Sequence, residues 1–382
     1  MIIGVLKENK ANEARVIVVP NGASELVRQG HQVLVQKGAG ALSGFSDEEY
    51  VKAGAELRDT MADIYGEAEL VAKVKEILPD EYDLLREGQI IFGCLHPAAH
   101  PEEVDVLLKK KVIGFSAEDS HRYGSPNCEV AGKLGALMGV QCLTTPMGGS
   151  GKLVCGMGGA PGIRAIVLGA GIVGQGAIEI LSSLGAQVTA MDIQVGVLRE
   201  ILYQFPKNVQ TSFSNQANIR ELLPETDLII NAVKWPKHRT DHLVTKEMLK
   251  LMRPGSVIVD VSADVGGAIE TYKSTTHEDP TYVIDGVVHY GVDNIPAAVP
   301  HTTSTAYAAV ILPHLQAIAN LGCAEACRKD AYLRRSLTMY MGTLTHEETA
   351  HIQKRERELP ENVLGLAGVE EMEKILHSSF LR

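Results

Sequence analysis

Cysteine pairs, excess positive charge and long apolar runs are all missing from this chain, and each absence closes off a class of function. The six cysteines (Cys94, Cys128, Cys142, Cys155, Cys323 and Cys327) form no Cys-x-x-Cys pair and no Cys/His cluster at zinc spacing. No metal site is therefore expected, and the thiols read as reduced, in keeping with a cytoplasmic protein. Acidic residues outnumber basic ones, 47 against 36, for a formal net charge of -11. That balance supplies no basic face for a nucleic acid, and Lys109-Lys110-Lys111 reads as a solvated helix end. No run reaches the roughly 18 apolar residues of a membrane span. The opening Met1-Ile-Ile-Gly-Val-Leu-Lys-Glu8 is too short in apolar residues for a signal peptide and too acidic for a transit peptide. No repeat of about 20–50 residues is visible.

What is present is ordinary in composition, with 45% hydrophobic and 22% charged residues, and large, with 382 residues. A chain of that length predicts two domains of about 150–200 residues. The most informative stretch lies in mid-chain. Ala165 to Leu168 reads as a buried parallel strand that runs into Gly169-x-Gly171-x-x-Gly174. A helix is predicted over Ile172 to Ser183, then a second strand over Gln187 to Met191 that ends on Asp192. A tight glycine turn, close backbone approach to a pyrophosphate, a helix N-terminus and an acid about 20 residues on are the parts of a dinucleotide site. Asp192 would bond the ribose hydroxyls and repel a 2'-phosphate, so the expected cofactor is NAD.

The segments on either side also alternate strand and helix. Ile2 to Leu6, Gln32 to Gln36, Leu70 to Val74, Gln89 to Leu95 and Lys111 to Ser116 read as strands, with helices over Pro20 to Gln29 and Glu102 to Lys109. After the glycine turn, strands are expected at residues 227–233, 256–261, 282–284 and 287–290, then a long helix from Thr303 to Leu321. The predicted fold class is α/β with two Rossmann-like domains, a doubly wound NAD domain inserted into a discontinuous substrate domain. Its boundaries are expected at 1–128 for the first part of the substrate domain and 129–300 for the NAD domain. Residues 301–382 would complete the substrate domain and add a C-terminal helical tail, with Lys354-Arg-Glu-Arg-Glu358 as solvated surface. The glycine-dense Gly148–Lys152 superficially matches a P-loop, but Pro146 replaces the first glycine and Leu153 the Ser or Thr.

Four residues outside the glycine turn carry candidate chemistry. Arg15 follows the first strand, and its planar fork suits a carboxylate. Lys75 ends an apolar strand, where burial would lower its pKa. His96 closes another strand and, with a pKa near neutrality, is an acid/base candidate. Asp264 stands just past a strand end, before Gly266-Gly267.

Together these positions resemble the alanine dehydrogenase family, which is related to the alpha subunit of proton-translocating transhydrogenase. The resemblance covers residues 1 to about 320. It rests on Gly4-Val-x-Lys-Glu8 with Asn12-Glu13-x-Arg15, Lys73-Val-Lys75-Glu76, Leu95-His96, Glu129-Val-Ala-Gly132, the glycine turn, Val259-Asp-Val-x-x-Asp264-x-Gly-Gly267 and Thr275-Thr-His-Glu-Asp-Pro-Thr281. It implies that Arg15 and Lys75 hold the substrate carboxylate and oxygen and that His96 and Asp264 are the acid/base pair. It also implies that NAD contacts Gly169, Gly171, Ile172, Val173, Gly174, Asp192, Ser214, Val233, Asn294 and Cys128. The implied activity is reversible oxidative deamination of a small L-amino acid, alanine foremost, by a homohexamer acting on small molecules alone.

Several departures from the family pattern touch substrate choice. Cys94-Leu95-His96-Pro97 replaces Tyr-Leu-His-Leu, Asn127-Cys128-Glu129 replaces Met-Ser-Glu, and Lys234-Trp235-Pro236-Lys237 replaces Leu-Val-Pro-Gly at the expected mouth of the site. Asp293-Asn294-Ile295-Pro296 departs from Ala-Asn-Met-Pro, and His301 stands in place of Arg. They leave a larger or differently charged amino acid open, since pocket contacts set specificity. Two alternatives share the same cofactor fold: opine-type condensation of an amino acid with a 2-oxo acid, and a non-catalytic NAD(H)-binding protein.

Overall fold

The structure, a computed structural model, describes residues 1–121, 125–236, 239–263, 265–366 and 368. They divide into two compact units, Met1–Ser125 together with Val299–Arg382, and Pro126–Ala298.

In the first unit β1 (Ile2–Val5), α1 (Pro20–Arg28), β2 (Gln32–Gln36), α2 (Asp47–Lys52), β3 (Glu56–Arg58), α3 (Met61–Glu67), β4 (Leu70–Ala72), β5 (Ile90–Gly93), α4 (Pro101–Lys109) and β6 (Ile113–Ser116) follow in order. The parallel strands line up β3-β2-β1-β4-β5-β6. Alternate residues feed two cores. Val33, Val35, Leu70, Ala72, Ile90 and Phe92 face one, and Leu34, Val71 and Ile91 face the other. Burial on both faces is what turns parallel strands into near-continuous apolar runs. The sequence reading omitted α2, α3 and β3, which are short. The two helices had a signal in their capping boxes, Ser46 with Glu49 and Thr60 with Asp63, each of which satisfies two helix-end groups.

In the second unit α5 (Pro126–Cys142) precedes β7 (Arg164–Leu168), α6 (Ile172–Ser183), β8 (Gln187–Asp192), α7 (Val195–Gln204), β9 (Val209–Phe213), α8 (Gln216–Leu222), β10 (Leu228–Asn231), α9 (Lys246–Leu249), β11 (Val257–Asp260), β12 (Thr281–Ile284) and β13 (Val287–Tyr290). The sheet runs β9-β8-β7-β10-β11-β13-β12, parallel except for the hairpin partner β12. That is the doubly wound order, with its reversal between β7 and β10.

The chain then returns to the first unit in α10 (Pro300–Lys329), which breaks at Gly322, where φ is 77°. The sequence had ended this helix at Leu321. A window of it is apolar enough to cross a membrane, with a mean hydropathy of 1.3, yet Tyr307, Ile311, Leu315 and Ile318 lie in the unit's core. The tail is not purely helical. After α11 (Ala331–Arg335), β14 (Leu337–Tyr340) adds antiparallel to β6, and β15 (Thr343–Leu344) pairs with β14. Met341 and Gly342 both take positive φ in the turn between them, the geometry that matches hairpin twist. α12 (Glu347–Gln353) and α13 (Pro360–Val363) follow. The charged run 354–358 is tied down rather than simply solvated: Arg355 pairs with Asp105 and Arg357 with Glu347.

Candidate active site

In the first sheet the strand order reverses between β1 and β4, and functional groups collect beyond the carboxyl ends at such a point. Arg15, on the long connection after β1, is 3% exposed. Its Nε donates to Glu13 Oε1 at 2.7 Å and its Nη2 to Glu13 Oε2 at 2.5 Å. The backbone on either side is pinned as well. Ser43 Oγ donates to the Ala14 carbonyl at 2.7 Å, and the Val16 amide donates to Ser304 Oγ at 3.0 Å. The guanidinium is thus buried and anchored, its Nε and Nη2 fork held by the Glu13 carboxylate.

Beyond β4 the chain carries two lysines with opposite fates. Lys73 is 1% exposed and donates to Glu81 Oε1 at 2.5 Å; Glu81 Oε2 also accepts from the Tyr65 hydroxyl at 2.8 Å. That lysine is structural. Lys75 makes no hydrogen bond or ion pair among the described residues, and its pKa is lowered, first by burial and then by the Arg15 charge. A half-buried ammonium without an anion is costly to the empty protein and suited to a ligand oxygen.

Pairing between the two chains continues past the regular strands. The Lys73 amide donates to the Phe92 carbonyl and the Cys94 amide to the Val74 carbonyl, both at 3.1 Å. These bonds carry His96 toward Lys75. His96 itself has φ 45° and ψ 47°, just before Pro97. A left-handed residue that is not glycine is strained by about 1–3 kcal/mol and persists where its surroundings impose it. Glu118, just past β6, imposes it here. Its Oε1 accepts the His96 amide at 2.7 Å and stands 3.3 Å from His96 Nδ1.

The expected near-neutral histidine is not what the structure contains. Although 47% of its side chain is open, burial of the surroundings, then the Lys75 charge, push its pKa down to about 4. Glu118 moves the other way, up to about 8, through burial and then Asp119. At neutral pH a neutral imidazole therefore sits beside a protonated carboxyl. Glu118 was missed in the sequence, yet it occupies the same strand-end position on β6 that drew attention to His96 on β5. Asp264 lies outside the described residues. Its neighbours are ordered by Asp260, whose Oδ1 accepts from Asn231 Nδ2 at 2.9 Å and from the Ser262 and Ala263 amides at 3.1 Å.

The second unit carries the candidate nucleotide-binding residues. Gly169 follows β7 with φ 84°. A Cβ on Gly174 would meet the Gly169 carbonyl oxygen at 1.8 Å, whereas one on Gly171 would meet nothing within 4 Å. Gly174 is thus required by the turn's own packing, while Gly171 borders open space above the first turn of α6. That helix has no side-chain cap, so the amides of its first turn, Ile172, Val173 and Gly174, would suit an anion. Asp192, ending β8, accepts from the Ala170 amide through Oδ2 and the Gln194 amide through Oδ1, both at 2.9 Å. This fixes its carboxylate beside the turn. Ser214 follows β9, and its amide donates to the Asp192 carbonyl at 3.0 Å. Val233 follows β10, across the reversal; its Cγ2 would lie 3.1 Å from a Cβ on Gly169. Asn294 is left-handed, with φ 59°, and Cys128 lies exposed in the first turn of α5. The donor set, an uncapped helix end with a ribose-type carboxylate, fits a dinucleotide.

Trp235, expected at the mouth of the site, is 5% exposed. Its Nε1 donates to the Asp241 carbonyl at 2.9 Å, and the Arg239 guanidinium covers its ring at 4.1 Å. It packs into its own loop.

A unit with the doubly wound dinucleotide fold and a Rossmann-like unit carrying Arg, Lys and His at its switch point together define a nicotinamide-dependent oxidoreductase. Residues 4–125 match the alanine dehydrogenase/PNT N-terminal domain and residues 135–347 the alanine dehydrogenase/PNT C-terminal domain; the chain belongs to this family. It is 43% identical over 356 residues to alanine dehydrogenase of Bacillus subtilis, covering 92% of this chain and 94% of that protein. It is 41% identical to alanine dehydrogenase of Methanococcus maripaludis, covering 92% and 96%. A solved L-alanine dehydrogenase superposes with a TM-score of 0.87 at 38% identity, covering 93% of this chain and 99% of that one. A transhydrogenase from Sinorhizobium meliloti shares the fold, with a TM-score of 0.77 at 24% identity over 91% and 99% of the two chains.

Proposed function

We propose that this chain catalyses the reversible oxidation of L-alanine by NAD and water to pyruvate, ammonium, NADH and a proton. The observation that carries the reading is the unpaired, half-buried Lys75 between Arg15 and His96. Three basic groups converge there: Glu13 holds Arg15 and Glu118 holds His96, while no carboxylate among the described residues pairs with Lys75. Bound nicotinamide supplies the hydride acceptor. The chain's own residues bind, orient and move protons. Arg15 clamps the substrate carboxylate. Lys75 donates to the carbinol or carbonyl oxygen, its lowered pKa easing proton exchange. Neutral His96 accepts the proton released as water adds to the iminium carbon, and Glu118 fixes its ring through the left-handed backbone. Asp264 is proposed as the second acid/base group.

Gly169 to Gly174 and the first turn of α6 would hold the pyrophosphate. Asp192 would hold the ribose and favour NAD over its 2'-phosphate. Ser214, Val233, Asn294 and Cys128 would border the remainder of the cofactor. The opine reading requires a second amine in place of ammonia. The test is a panel of L-amino acids with NAD, followed at the NADH absorbance. Alanine should be the best substrate in the panel, without any added 2-oxo acid. Turnover only with pyruvate plus a second amine, or NADH binding without turnover, overturns the proposal.

A further inference from the structure

The C-terminal tail supplies no group to the proposed reaction, yet one of its helices grips the backbone beside both members of the His96 and Glu118 pair. At the end of α12, Gln353 Nε2 donates to the Pro97 carbonyl at 2.7 Å and to the Ala98 carbonyl at 3.3 Å. Both carbonyls belong to the 3-10 turn Pro97–Ala99, which begins directly after His96. The direction of the Gln353 amide is fixed. Its Oε1 accepts from Arg355 Nε at 2.6 Å, and since a guanidinium only donates and a carbonyl only accepts, Nε2 must face the turn. Arg355 is itself anchored to α4, through Asp105 at 2.5 Å and the Pro101 carbonyl at 3.2 Å.

At the other end of α12, the N-cap residue His346 brings its Nε2 to 3.2 Å from Asp119 Oδ2. Arg335, which ends α11, donates through Nε to the Asp119 carbonyl at 2.8 Å and through Nη2 to the His121 carbonyl at 2.9 Å. The tail therefore holds the chain one residue past His96 and one residue past Glu118. A left-handed residue other than glycine persists only where several contacts impose it. Glu118 supplies one such contact at the His96 amide, and Gln353 supplies the other on the carboxyl side.

We propose that Gln353 is a positioning residue for the reaction, holding the Pro97–Ala99 turn so that His96 keeps the backbone conformation from which its ring accepts a proton. The inference rests on the reading of His96 as that acceptor. Gln353 acts through the turn and is half-buried at the surface, so its replacement leaves the core intact. Gln353→Met keeps the length and removes donor and acceptor, Gln353→Glu keeps the length and an acceptor alone, and Gln353→Lys keeps an N–H donor. The experiment measures kcat, KM for alanine, NADH affinity by fluorescence and the urea midpoint in each variant and in His96→Gln. It adds the pH profile of kcat/KM for the wild type and Gln353→Met.

The Met and Glu variants should lose about 10–100-fold in kcat, the scale of a misplaced reacting group, with KM for alanine and NADH affinity within about twofold. Gln353→Lys should recover most of the loss. The charges facing the His96 ring are Lys75, Glu76 and Lys10, with His100 from its own turn and Glu118 from the end of β6. None of these changes in Gln353→Met. A loosened turn admits water to the ring, so the acid limb of the kcat/KM profile should move up by about one pH unit, toward the ordinary histidine value. Wild-type kcat in both the Met and Glu variants overturns the inference. So does a fall in kcat that follows the urea midpoint while the acid limb stays in place, because that is a purely structural role. If His96→Gln keeps wild-type turnover, the underlying reading of His96 fails. If His96→Gln loses turnover while the Gln353 variants match the wild type, only the positioning role fails.

Discussion

The Lys75 ammonium opposes protonation of the His96 imidazole and, after burial, is the main reason the ring is held near pKa 4. Lys75 is itself depressed, by burial and then by Arg15. The site thus carries its repulsion in the empty protein and is relieved when an anionic substrate arrives. A site built this way discriminates for carboxylates before any contact with the side chain.

The His96 shift fixes the sign of a pH effect. The ring stays neutral in the folded chain while the unfolded chain protonates first. Its contribution to stability is therefore present above about 6.5 and is lost as pH falls through about 4. Urea denaturation at pH 7, 5 and 4 should show the wild type losing more stability across that window than His96→Gln. A steeper loss in the variant contradicts the assignment. The same variant should lose about 10²–10⁴ in kcat as a missing general base does, while NADH binding, read by fluorescence, stays intact.

Arg15→Lys keeps a charge beside Glu13 but abolishes the fork. KM for alanine should rise roughly 10–100-fold, equivalent to about 1.5–3 kcal/mol for a hydrogen bond to a charged group. Arg15→Ala should instead cost about 3–5 kcal/mol of folding stability, because it strips the buried Glu13 of its arginine. Denaturant midpoints measured beside the kinetics separate the two effects. Identical midpoints for both variants would contradict the buried pair.

Two glycines in one turn should behave differently. Gly171→Ala places its methyl in open space, so Tm should be unchanged while NADH affinity drops about tenfold or more, the methyl blocking the approach of the pyrophosphate to the backbone. Gly174→Ala collides with the Gly169 carbonyl oxygen and should also lose about 1–3 kcal/mol of stability. Full NADH affinity in Gly171→Ala removes the proposed cradle.

Asp192→Asn keeps an acceptor for one backbone amide and removes the negative charge. The preference for NAD over NADP in kcat/KM should fall by about tenfold, or 1.4 kcal/mol. Steady-state rates with each cofactor decide it. A preference that survives the change places discrimination elsewhere.

Much of the fold was readable because parallel strands buried on both faces leave unbroken apolar runs. β2, α6 and β13 fall on the residues expected from the pattern alone. α2, α3 and β3 are too short for periodicity to register, and only the two helices are announced, by their capping boxes. β14 escaped because an antiparallel strand needs no crossover helix to mark it. The fate of Trp235 was equally invisible, since a ring's partner in its own loop, here the Asp241 carbonyl, leaves no pattern in the chain.

The glycine turn, the acid on Asp192, the place of Arg15 after the first strand and the positions of Lys75 and His96 just past strand ends were determined by the sequence itself, because local geometry requires particular residues at those places. The tertiary structure decided what the pattern Lys73-Val-Lys75 leaves open. Glu81 reaches Lys73 from eight residues away and neutralises it, while no carboxylate among the described residues reaches Lys75. Likewise it was the return of α10 that set Tyr307 against Cys94, 213 residues apart. Which charge is paired and which waits depends on groups brought together from distant parts of the chain, and spacing along the sequence carries no record of them.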